Sequence, residues 1–273
     1  DCPTLRLTNH HGLMIAGEAA LSNWDAGMDM YIYGKLGNLT MTKEGINVLM
    51  TNLTGKVPPI LQRLDYIRFN GEAAGYLHDL TLTGLFHTGA GMVKTDVMMS
   101  IDEQSMSRTY SGSVASADLD LGKLLNQEKK FGKVDFNVEL KGFNYKNRYP
   151  ESYIKGIISS FEYSQYQYEN IMLDGVYKDG GFNGRLSMDD ANGSVQIDGN
   201  FNVAKTIPDF NLKASVKNLR PHDLHLSDKY ENASISLGLT ADFTGKSIDD
   251  MNGRISLDSL QLNAPDEGGC FLD

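Results

Sequence analysis

The sequence predicts an all-β protein with a minor helical part. Three observations carry that expectation. Apolar and polar residues alternate with period two through most of the chain, as they do when one face of a strand is dry and the other wet. Turn signals return every roughly 8–12 residues, the spacing of consecutive antiparallel strands rather than of βαβ units. Helical periodicity is confined to short stretches.

In chain order, the first distinct element is helical. Ile46, Leu49, Met50 and Leu53 recur at helical spacing within "TKEGINVLMTNLTGKVPPILQRL" (Thr42 to Leu64). Pro58 and Pro59 then start a second short helix through Ile60, Leu61 and Leu64, because proline suits the first helical turn. "DLGKLLN" (Asp120 to Asn126) adds one helical turn. These pieces are expected to cap or connect a sheet.

The strands follow. Val134, Phe136, Val138 and Leu140 share one strand face. The stretch "FNGRLSMDDANGSVQIDGNFNV" puts Phe182, Leu186, Val195, Ile197, Phe201 and Val203 on its apolar side. Phe210, Leu212, Ala214 and Val216 alternate in the same way, then Ile235, Leu237, Leu239, Ala241 and Phe243, then Ile255 and Leu257. "YKDGGF" (Tyr177 to Phe182) reads as a hairpin loop, with Asp179-Gly180 suited to positive φ, and "DDANG" (Asp189 to Gly193) as another. An aromatic residue, a small polar residue and a glycine recur at Phe69-Asn70-Gly71, Tyr110-Ser111-Gly112, Phe182-Asn183-Gly184 and Phe243-Thr244-Gly245. Such glycines are expected to mark strand starts, bulges or bends. A change of texture near Ser100 to Arg108 divides the chain into segments 1–105 and 106–273 of one continuous sheet.

Composition narrows the function classes. The chain has 273 residues and a formal net charge of -10, which excludes sequence-independent nucleic-acid binding and simple docking on anionic lipid headgroups. No uncharged stretch is long enough to span a bilayer. Cys2 and Cys270 lie near opposite ends; two unpaired thiols and a single bridge are both open.

No constellation for covalent chemistry emerges, so no catalytic residue, metal or cofactor is expected. His10 and His11 are adjacent and would point to opposite faces of a strand. His222 and His225 in "PHDLH" could hold a metal on a helix, but the proline before them favours a surface turn. Asp189-Asp190 and Asp249-Asp250 sit in turns, where Asp bonds nearby backbone amides. The tyrosines of "YIKGIISSFEYSQYQYENI" (Tyr153 to Ile171) suit either sugar stacking or, as the simpler reading, a strand pair.

Two longer blocks carry a family likeness. "PPILQRLDYIRFNGEAAGYLHDLTLTGLFHTGAGMVKTDVMMS" (Pro58 to Ser100) runs from a short helix into glycine-punctuated strands. "YQYENIMLDGVYKDGGFNGRLSMDDANGSVQIDGNFNV" (Tyr166 to Val203) repeats a strand recipe that residues Ile207 to Leu226 and Ile235 to Leu262 continue. This sequence resembles the TamB and AsmA-like envelope proteins of Gram-negative bacteria. The resemblance implies an extended, curled, antiparallel-rich sheet forming an open trough or taco-like groove. It implies a periplasmic fragment of a longer protein anchored in the inner membrane, lipid acyl chains as ligand, and an outer-membrane β-barrel assembly protein as partner. The alternating residues from Val134 to Leu257 are then candidates to line the groove. An interaction module acting by strand addition, with a homodimer through exposed strand edges, is a second expectation. A carbohydrate-binding scaffold using Tyr163, Tyr166 and Tyr168 is a third.

Overall fold

The computed structural model describes the chain except residues 1, 24, 103, 106, 145–150, 203–204, 230, 247–249, 265–269 and 273, and the side chains at 53, 54 and 270–272. Val203, Asp249 and the side chains of Leu53 and Cys270 therefore lie outside the described residues. The chain divides into two compact units, Asp1–Arg148 and Tyr149–Asp273. Each is built mainly of antiparallel strands joined to their sequence neighbours, as the alternation predicts.

Unit 1 holds β1 (Cys2–Thr8), β2 (Leu13–Ser22), β3 (Tyr31–Thr42), β4 (Tyr66–Tyr76), β5 (Asp79–Thr88), β6 (Gly91–Ile101), β7 (Arg108–Ala117), β8 (Leu119–Asp120) and β9 (Phe131–Asn144). Strands β1 to β7 pair in order, and β9 pairs with β7 and β8. The change of texture near Ser100 to Arg108 falls where β6 ends at Ile101 and β7 begins at Arg108. The expected helices are present as α1 (Lys43–Thr54) and α2 (Pro59–Gln62) between β3 and β4, and α3 (Leu121–Leu125) between β8 and β9.

The helices close one end of the unit 1 sheet. The Thr42 hydroxyl caps α1 by accepting from the Gly45 amide at 3.3 Å, and Gly55 ends it at φ 74°, a left-handed cap that glycine adopts without strain. Asp120 caps α3 by accepting from the Lys123 amide at 2.8 Å. Lys123 Nζ in turn donates to Asp65 at 2.6 Å and to the Gly89 carbonyl at 2.9 Å, while Arg63 donates to the Leu124 carbonyl. The Lys123 hydrogen bond and charge hold the Asp65 carboxyl below its ordinary pKa. Beneath these polar ties Ile46, Leu64, Ala90, Leu119, Leu124 and Val134 are buried.

Unit 2 is a meander of β10 (Glu151–Tyr163), β11 (Tyr166–Lys178), β12 (Gly181–Asp190), β13 (Gly193–Asn202), β14 (Asp209–Leu219), β15 (Ser234–Thr244) and β16 (Asn252–Asn263), with β17 (Cys270–Leu272) at its end. The β11–β12 turn has Asp179 at φ 53° and Gly180 at φ 78°, the two positive angles expected from Asp-Gly in a two-residue hairpin. Residues 220–229 and 231–233 cap one end of this sheet. Leu224 is wholly buried there, and its carbonyl accepts from the Tyr168 hydroxyl at 2.7 Å.

Of the glycines in the recurrent aromatic–polar–glycine pattern, Gly71 lies against the ring of Phe69, whereas Gly112, Gly184 and Gly245 are crowded by neighbouring backbone. Gly71 and Gly184 lie inside β4 and β12. The Phe69 ring lies over Gly71 and its neighbour Gly84, so that a Cβ on Gly84 would stand 2.4 Å from Phe69 Cε2. Phe182 covers Gly175 in the same way, with Cζ 2.6 Å from where a Cβ would be. The missing side chain makes room for an aromatic ring on the same face.

Backbone crowding makes a second kind of glycine obligatory. Gly112 in β7 has φ 141°, and a Cβ there would fall 2.0 Å from the Asp96 carbonyl oxygen. Gly34 in β3 has nothing within 4 Å of that position. Gly112→Ala is expected to destabilise the chain by about 2 kcal/mol or more, and Gly34→Ala by less than about 0.5 kcal/mol in either direction. Urea-unfolding midpoints measure both; equal effects would refute the distinction.

Candidate functional site

Residues directly opposite one another in an antiparallel pair share a face, as do residues two apart along a strand. In unit 2 the registers therefore align side chains into rows that cross the sheet. The first row is Tyr177, Phe182, Phe201, Phe210 and Phe243 on β11–β15. Ring centroids are 5.7 Å apart for Phe182–Phe201 and 4.7 Å for Phe210–Phe243. A second row holds Gly175, Gly184, Gly199, Leu212, Ala241 and Ile255, and a third Leu173, Leu186, Ile197, Ala214, Leu239 and Leu257. Ile171, Met188, Val195, Val216, Leu237 and Leu260 form the fourth, and Leu219, Ile235 and Leu262 a shorter fifth.

All these rows lie on one face, and that face is only partly covered. On β12–β15 its large side chains are half-buried; the fully buried members are small, Ala214 and Ala241. Ile255 and Leu257 are 44% and 56% exposed. A second layer would bury such side chains almost completely. The accessible surface totals 17169 Å² for 30.1 kDa. A compact chain of that mass exposes about 11,700 Å², and even two separate compact halves about 14,000 Å².

The opposite face of unit 2 is mainly polar and carries ion pairs, although Ile157 and its register partner Met172 stand exposed on it. Arg185 on β12 meets its register partner Asp198 on β13 at 2.6 Å. Lys155 on β10 meets its register partner Asp174 on β11 at 3.0 Å, and Tyr153 donates to the same carboxylate at 2.7 Å. Hydrogen bonds from Gln196 and Arg185 hold Asp198 below its ordinary pKa. Those from Tyr153 and Lys155 do the same for Asp174.

Unit 1 has a comparable cross-strand row, but here its central Phe69 and the neighbouring Ile67 are buried. Leu7, Ile15, Leu39, Phe69, Phe86 and Val93 form one row across β1–β6, with Phe69 and Phe86 centroids 4.5 Å apart. Of the sequence-predicted lining residues, four lie here, on β9. Val138 faces Val114 and Leu140 faces Gly112, while Phe136 is half-buried two residues before Val138. Val134 is buried against Leu119 at the capped end. The remaining described candidates, from Phe182 to Leu257, all stand in the unit 2 rows.

Period-two alternation missed several members, notably Ile15, Phe69 and Phe86 in unit 1 and Leu173 and Met188 in unit 2. The alternation is present around each, but it is weakened by glycine at Gly17, Gly71, Gly84 and Gly175 beside the first four and by Asp190 beside Met188.

The other candidates fall into structural roles. His10 and His11 sit in the β1–β2 turn rather than on a strand, because Gly12 at φ 78° reverses the chain there; His11 pairs with Glu44 at 2.9 Å. The "PHDLH" segment forms the expected turn, with His225 Nδ1 2.9 Å from the Ser164 carbonyl and His222 3.7 Å from Asp223. Among the described residues no three His, Cys, Asp or Glu side chains gather as a metal site. Cys2 is a free thiol that donates to the Thr4 carbonyl. No described helix is long and apolar enough to cross a membrane. Comparison with models of known protein families, with curated proteins and with solved structures gives no match.

The tyrosines of β10 and β11 form the expected strand pair, with Tyr163 opposite Tyr166. Tyr166 donates to Asp190 Oδ1 at 2.5 Å and accepts from Asn192 at 3.1 Å, which ties the hairpin to the β12–β13 turn. Burial first, and then the bond to Asp190, pushes the Tyr166 phenol up to about 12 from 10.0. A folded-state pKa above the unfolded value contributes stability that is complete below the unfolded value and lost as pH rises through the folded one. Stability should therefore fall between pH 10 and about 12 through this phenol. Phenolate absorbance should show a late-titrating tyrosine that Tyr166→Phe removes. An unchanged titration in that variant would refute the assignment.

Proposed function

We propose that this chain is a non-enzymatic lipid-handling module of the Gram-negative cell envelope, in the manner of the TamB and AsmA-like proteins its sequence resembles. It offers acyl chains an apolar sheet face in the periplasm, between inner and outer membrane. Membrane contact is made by other parts of a longer protein, and an outer-membrane barrel assembly protein is its protein partner.

One observation supports the reading: five apolar rows run across β11–β16 with no second layer over them among the described residues, while the reverse face is mainly polar and carries ion pairs. An uncovered apolar surface of this extent calls for an apolar occupant. Each methylene removed from water contributes about 0.8 kcal/mol, so eight of them contribute about 6 kcal/mol. That is an affinity between millimolar and micromolar before ordering costs, which suits a carrier that must release its cargo.

The test is photocrosslinking in cells, with the probe at Phe136, Leu212 or Leu237, and at Lys213 or Ser215 on the polar face as controls. Lipid adducts are expected at the first three positions and not at the controls. Leu212→Asp combined with Leu237→Asp should lower co-purifying phospholipid by about tenfold, the effect of unburying several methylenes, with circular dichroism unchanged. Equal labelling of both faces, or no phospholipid in organic extracts, would overturn the reading.

A further inference from the structure

The first apolar row of unit 2 is unlike the other four. Tyr177, Phe182, Phe201, Phe210 and Phe243 put one aromatic ring on each of five consecutive strands. None of the other rows holds an aromatic residue. Those rows hold their strands together with aliphatic and small side chains, so cohesion of the sheet does not call for rings. The aromatic row is also accessible: Tyr177 is exposed and the four phenylalanines are half-buried.

Ring geometry and spacing decide which ligand suits this row. Phe210 and Phe243 have centroids 4.7 Å apart and planes 19° from parallel; for Phe182 and Phe201 the values are 5.7 Å and 37°. Rings lying flat side by side cannot come so close. These face one another along the row and present largely their edges to a ligand above the sheet. A ring edge carries the positive side of the aromatic quadrupole. It attracts the electron-rich π cloud of a carbon–carbon double bond, whereas the hydrogens of a saturated chain are themselves weakly positive. The rings recur at the strand spacing of about 4.8 Å, and an extended isoprene unit, with its one double bond, is about as long.

We propose that this row is a subsite for a polyprenyl chain, preferred there over a saturated acyl chain. The inference rests on the lipid-handling reading above and narrows the cargo of that surface. A polyprenyl chain laid across β11–β15 sets one isoprene unit over each strand, so that each double bond meets a ring edge. Because the two repeats agree, the chain keeps step with the strands along the whole row. The aliphatic rows offer no such partner and take saturated and unsaturated chains alike. A flat, fused-ring lipid would instead need ring faces turned towards it.

Three lipids with the same head test the proposal on the whole chain: geranylgeranyl phosphate, its saturated counterpart phytanyl phosphate, and unbranched hexadecyl phosphate. Equilibrium dialysis measures each below its micelle-forming concentration. Geranylgeranyl phosphate should bind about tenfold more tightly than phytanyl phosphate, the effect of several weak ring contacts. Phe201→Leu combined with Phe210→Leu keeps the row apolar and should reduce that ratio to about two or less, with hexadecyl phosphate bound as before and circular dichroism unchanged. Tyr177→Leu, at an exposed position that folding does not depend on, should lower the ratio by a smaller factor. Equal affinity of the first two lipids for the unaltered chain, or a ratio that persists in both variants, would overturn the proposal and leave the lipid-handling reading in place. Binding of none of the three would overturn both.

Discussion

Strand register is the constraint on which this architecture depends. In a meander each strand pairs with its sequence neighbours, and side chains alternate between faces with a period of two. A slip of one residue in one hairpin carries every strand beyond it to the wrong face. In unit 2 such a slip between β12 and β13 would separate Arg185 from Asp198 and Phe182 from Phe201. The register is pinned at both ends of this hairpin region. Asp179 and Gly180 permit one tight turn geometry. At the other end Asp190 binds the Tyr166 hydroxyl and the Asn192 and Glu169 amides at once.

A sheet with one uncovered face cannot draw its stability from a central core. The two most deeply buried large side chains, Ile46 and Leu224, lie in a helix and a loop that close sheet ends. Packing that a two-layer fold would place over the middle of its sheet is here moved to the margins. Each margin is also tied by polar groups: Lys123 and Arg63 around the helices of unit 1, Tyr168 beneath the loop of unit 2. Between the margins, cohesion comes from backbone ladders, aromatic pairs along the rows and cross-strand ions on the outer face. This is why the apolar rows can stay open without the sheet coming apart.

Much of this was legible in the sequence because the physics involved is local. Alternation, Asp-Gly turns and the helix around Ile46 each depend on a few adjacent residues, and each is present. The rows themselves were not legible, since they exist only once register joins distant residues such as Leu173 and Leu239. The aromatic–polar–glycine pattern was visible but its cause was not. Phe69 requires glycine both at Gly71 on its own strand and at Gly84 on the next, and only the second reveals a ring lying across the sheet. His10 and His11 were misplaced because one left-handed glycine turned a strand end into a loop.

On the lipid-handling reading, repetition of the rows has a kinetic consequence. Adjacent strands stand about 4.8 Å apart, and each presents nearly the same aliphatic set to the ligand. An acyl chain moving by one strand leaves Leu186 for Ile197, or Val195 for Val216, and exchanges equivalent contacts. The net free-energy change per step is then close to zero. The barrier is that of uncovering one or two methylenes at a time, about 1–2 kcal/mol. A single deep pocket of the same total contact would instead hold the chain in one place. On this reading, similar side chains along each row would serve movement across the strands, for which specific recognition at any one rung would be a hindrance.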